Sequence, residues 1–141
     1  MDVNPYIKAL FNRYKHQLRD TELPIIRYGG WAQILKELFE QTEWYMSVYE
    51  VPAFVWDQIV IRDGQLRCYF SGRLMPEKFV KEMLQLISEM EEKALHTCFL
   101  SGNPGELCFL PADSKWVILE PEAATKFKAL ALSTFRPVQS N

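Results

Sequence analysis

The chain of 141 residues has the size of one domain, and with 48% hydrophobic and 24% charged residues it lies far from the composition of disorder, so a single core over residues 1–141 is expected. A formal net charge of -2 gives no general cationic field for nucleic acid or an anionic membrane. No apolar run approaches the roughly 20 residues of a membrane span, and the polar start Asp2-Val3-Asn4-Pro5 is no export signal, so a cytoplasmic protein is expected.

The first helix is marked by Asn4 as cap, Pro5 at its first position and the helical recurrence of Ile7, Leu10, Phe11, Tyr14 and Leu18, with an end near Asp20. A second helix follows Pro24 and the Gly29-Gly30 pair, with Trp31, Ile34, Leu35 and Leu38 as its apolar stripe. Gly29-Gly30 before a helix could offer N–H groups to an anion, but no phosphate-loop or dinucleotide motif surrounds the pair, and a plain turn is expected.

From Trp44 onward the alternation of Trp44, Met46 and Val48 with Tyr45, Ser47 and Tyr49 predicts a strand over 44–51, followed by strands over 55–62 and 65–71. Asp63-Gly64 between two apolar runs predicts a type I′ hairpin. Pro76 opens a long helix to about Lys93 whose wide apolar face requires extensive burial, while Glu82, Glu89, Glu91 and Glu92 read as a solvated acidic surface. Strands over 96–100, 106–110 and 115–119 and a last helix from Pro121 to about Leu132 complete the order ααβββαβββα, with a frayed tail at 137–141. This is an α+β domain in which an antiparallel meander packs against the long helix. The layout is similar to that of type III secretion chaperones and other small α+β adaptors, with no residue motif behind the likeness.

Little in the chain suggests chemistry. Only His16 and His96 could serve as a base; His16 reads as a helix-surface residue, and His96 and Cys98 would point in parallel from one strand. The same i, i+2 spacing is the one metal-like feature, but Cys68, Cys98 and Cys108 lack the paired spacing of a zinc site and read as buried reduced thiols. No catalytic, metal or cofactor site is therefore assigned.

The outer face of the expected sheet collects Tyr45, Tyr49, Arg67 and Tyr69, residue types enriched in protein interfaces. RNA stacking on such a face is disfavoured by the acidic balance and the missing RNA-binding signature. The expected function is a non-catalytic protein-binding module, such as an effector chaperone, inhibitor or immunity-type adaptor, whose partner is another protein or a second copy in a homodimer. The alternative is a small-molecule binder or motif-poor enzyme with a pocket between helices and sheet.

Overall fold

The computed structural model describes residues 4–19, 21, 29–127 and 130–131 and has an α+β fold with helices around two small antiparallel sheets. Helix α1 (Pro5–Arg13) begins as its sequence dictates: Asn4 Oδ1 accepts from the N–H groups of Tyr6 and Ile7, and Pro5 occupies the first turn, where its missing N–H costs nothing. The helix breaks at Tyr14 and resumes as α2 (Lys15–Leu18), leaving Ile7, Leu10, Tyr14 and Leu18 on the buried side.

Helix α3 (Ala32–Val48) runs straight through the segment expected to form the first strand. The alternation at 44–49 is real, but Leu35, Leu38, Phe39, Thr42 and Met46 also recur at helical spacing and meet the core, and no breaker intervenes. Burial along the whole stripe decides for helix. The end is a Schellman motif: Val51 N–H donates to Met46 O at 2.8 Å and Glu50 N–H to Ser47 O at 3.4 Å. Glu50 occupies the left-handed position (φ 55) where glycine is usual, which hid the helix end from sequence reading.

Strands β1 (Gln58–Arg62) and β2 (Gln65–Tyr69) form the expected hairpin, shorter than 55–62 and 65–71, with Arg62 opposite Gln65 and positive φ at both Asp63 and Gly64. Ile59, Leu66 and Cys68 face the core. The tip lies so close to residues 116–117 that a Cβ on Gly64 would sit 2.7 Å from the Trp116 carbonyl, so this position needs glycine for space as well as for conformation.

Helix α4 (Glu77–Leu95) is the long helix and buries Phe79, Met83, Leu86, Ile87 and Met90. It runs antiparallel to α3, since Lys93 Nζ binds Glu37 at 2.9 Å near one end while Tyr49 borders Pro76 and Lys81 near the other. On its other flank Glu91 accepts the backbone N–H of Cys68 at 3.0 Å, occupying a donor on the edge of β2 that β1 does not use.

The strand expected over 96–100 is a loop with one isolated bridge, Thr97 to Pro104. Ser101-Gly102-Asn103-Pro104-Gly105 turns the chain back too soon for a strand, so Cys98 N–H bonds Asn103 O (2.7 Å) and Gly105 N–H bonds His96 O (2.9 Å). Strands β3 (Glu106–Leu110) and β4 (Lys115–Leu119) pair as expected. Helix α5 (Pro121–Lys126) is shorter than expected, and β5 (Leu130–Ala131) pairs with β3 where the helix was expected to continue, because β3 still had a free edge to satisfy. Strand order in this sheet is β4-β3-β5, so the strands form two sheets instead of one meander. Residues 137–141 lie outside the described residues.

One buried polar residue ties these parts together. Gln17 is fully buried; its Nε2 donates to Phe39 O (3.1 Å) and Glu43 Oε2 (2.6 Å), while its Oε1 accepts from Trp56 Nε1 (3.0 Å). Trp56 N–H also donates to Gln17 O at 2.8 Å, joining α2, α3 and the approach to β1. A single amide orientation satisfies every partner, since indole N–H can only donate and carboxylate only accept.

Candidate protein-binding surface

The structure does not gather Tyr45, Tyr49, Arg67 and Tyr69 on one sheet face. Tyr45 on α3 and Tyr49 at its C-cap lie one turn apart, with ring centroids 6.5 Å apart. Burial raises the Tyr45 hydroxyl pKa first, and the nearby Glu82, Glu89 and Tyr49 raise it further. Arg67 is on β2, donating to Gln65 Oε1 (2.9 Å) and Leu66 O (3.0 Å), with Glu91 Oε1 at 3.6 Å. Tyr69 stacks under the Arg62 guanidinium at 5.6 Å. Glu89 and Glu91 are two positions apart, or about 200° around the axis, so the tyrosine pair and the Arg67 group occupy opposite flanks of α4. The shared face fails because 44–48 is helical.

The same helix brings out residues that strand reading had turned inward. Trp44 and Val48, one turn apart, are 62% and 49% exposed. Near this end of the α3–α4 pair, Leu74 is 98% exposed and has φ 63, an unfavourable conformation for a branched apolar side chain. A depression of about 470 Å³ where the end of α3 meets the start of α4 is lined by Tyr49, Pro76, Glu77, Lys78 and Lys81. Testing helical phase beyond Leu38 is the signal that would have found Trp44 and Val48.

The residues considered for chemistry have structural partners. His16 Nε2 lies 2.6 Å from Glu43 Oε2, and His96 Nε2 lies 2.8 Å from Glu92 Oε2. His96 caps the C-terminus of α4, so the strand geometry that would have paired it with Cys98 does not exist. Among the described residues no three His, Cys, Asp or Glu side chains converge as a metal site. Gly30 N–H is taken by Phe99 O at 3.1 Å, and a Cβ there would lie 2.2 Å from Cys98 O, so this glycine serves close backbone packing.

All three cysteines are buried and free, in unlike settings. Burial, with the Glu91 charge and against Arg67, pushes the Cys68 thiol far above its ordinary pKa. Burial, then Glu106 and Cys98, raises Cys108 against the Leu119 N–H. Burial opposes ionisation of Cys98 too, but the Ser101 hydroxyl and the N–H groups of Ser101, Glu120 and Leu100 outweigh it and lower the pKa. No helix among the described residues is long and apolar enough to cross a membrane.

Comparison with known proteins finds no matching family model, no matching curated protein and no matching solved structure.

Proposed function

We propose that this chain is a non-catalytic protein-binding module, of the kind that acts as an effector chaperone, inhibitor or immunity-type adaptor, and that its contact surface centres on Trp44 and Val48. The observation that carries the reading is Trp44: 62% exposed on a regular helix, one turn from a half-exposed Val48. Tryptophan is the residue most often found at binding hot spots, where its large apolar area is withdrawn from water. Leu74 and Tyr49 extend the surface toward the N-terminus of α4. Leu74 is exposed and holds a left-handed backbone conformation, and strained backbone positions cluster at functional sites.

Affinity capture from the native lysate tests this reading with three variants. Trp44→Ala and Leu74→Ala remove exposed side chains and are expected to lose the captured partner without changing the thermal midpoint. Tyr69→Ala, on the opposite flank of α4, is expected to retain it. Unchanged capture by Trp44→Ala, or loss by Tyr69→Ala alone, refutes the surface.

A further inference from the structure

Charge is distributed unevenly along the chain. Residues 4–19 hold Lys8, Arg13, Lys15 and Arg19 without any carboxylate, leaving 12 cations against 18 carboxylates elsewhere. Lys8 and Lys15 are exposed and both border a groove of about 630 Å³ on α1–α2, which Pro5, Ala9, Phe11 and Asn12 also line. The groove is thus mainly apolar, with two ammonium groups on its border.

The α3–α4 face carries carboxylates of opposite sign at Glu82 and Glu89, with Lys78 and Lys81 confined to its Tyr49 end. Glu82 and Glu89 both lie near Tyr45, and neither is drawn into an ion pair with a described residue. They are seven residues apart on α4, about 10.5 Å along the helix, while Lys8 and Lys15 lie on either side of the break at Tyr14. Trp44 and Val48 supply exposed apolar surface on the adjacent helix.

These faces cannot meet within one molecule. Glu43 on α3 contacts His16 and Gln17 of α2, whereas Tyr45, about 200° further round, faces α4, so the basic helix and the acidic face lie on opposite flanks of α3.

We propose that the α3–α4 face around Trp44, Glu82 and Glu89 docks into the Lys8–Lys15 groove of a second copy of this chain. This rests on the protein-binding reading of that face and names its partner. Two Glu–Lys pairs set the orientation, and Trp44 packs against Phe11 and the neighbouring groove surface. Exposed ion pairs contribute little affinity, so the charges act chiefly on orientation and specificity while the apolar contact holds the pair. Each contact joins unlike surfaces, so the docking is heterologous.

Sedimentation equilibrium of the full chain at low salt, up to about 100 µM, tests the proposal in the range of weak interfaces. The expected result is a mass above that of one chain, reduced by added salt and by Trp44→Ala. Lys8→Glu with Lys15→Glu, or Glu82→Lys with Glu89→Lys, is expected to give single chains. Mixing those two double variants is expected to restore association, because each then supplies the charge the other lacks. A single-chain mass for the unaltered protein, or no association on mixing, overturns the proposal. If a single-chain mass accompanies Trp44-dependent capture of a different protein, self-docking fails while the protein-binding reading stands; with no such capture, both fail.

Discussion

Replacing Gln17 with Met keeps side-chain length and helix propensity but removes the amide that joins three segments. Trp56 Nε1, fully buried, loses its acceptor, and Phe39 O and Glu43 lose a donor. An orphaned buried donor costs about 1–3 kcal/mol, and hydrogen bonds to charged groups add about 1.5 kcal/mol or more each. Because Phe39 O lies within α3 and Glu43 also contacts His16, most of the loss falls on Trp56, so about 2–4 kcal/mol is expected. For a chain of this length that is a fall in thermal midpoint of roughly 5–12 °C. Urea unfolding followed by tryptophan fluorescence measures it, with Trp56→Phe and the double variant completing a cycle. The two single losses should overlap, with a coupling of at least about 1 kcal/mol. A Gln17→Met loss below about 0.5 kcal/mol, or full additivity, refutes the node.

Glu50→Gly should stabilise the protein: relief of a left-handed residue gains about 1–2 kcal/mol and the freer unfolded chain takes back about 0.4–1 kcal/mol, a net rise readable as one to a few degrees by calorimetry. A lowered midpoint would mean that the Glu50 side chain contributes more than its backbone strain costs. Alkaline stability should be governed in part by Cys68. The folded chain keeps this thiol protonated while the unfolded chain ionises near pH 8.5, so above that pH it contributes a loss of about 1.4 kcal/mol per pH unit. Urea midpoints from pH 7 to 10 should therefore fall more steeply for the unaltered chain than for Cys68→Ala; parallel slopes would show that Cys68 ionises as readily when folded.

Local chemistry was legible wherever a short segment carries its own instruction. Asn4-Pro5 starts α1 and Asp63-Gly64 makes the hairpin turn, because capping and positive φ are properties of neighbouring residues. The apolar stripe of α4 was equally plain. Legibility failed at 44–51, where the residues satisfy both a period of two and a period of 3.6, and the usual glycine at the helix end is replaced by Glu50. It failed again at 130–131, where two residues of good helix propensity pair with the edge of β3.

The candidate surface followed the same division. Sequence alone determined the α+β class, the aromatic richness and the lack of a catalytic motif, since these depend on composition and short-range pattern. Which aromatics reach solvent was decided by tertiary structure: once burial of Leu38, Phe39 and Thr42 holds α3 helical, Trp44 turns outward, Tyr45 turns toward α4, and Arg67 is left on the far flank. Side-chain direction depends on the phase of the element that carries it, and that phase is set by distant core contacts.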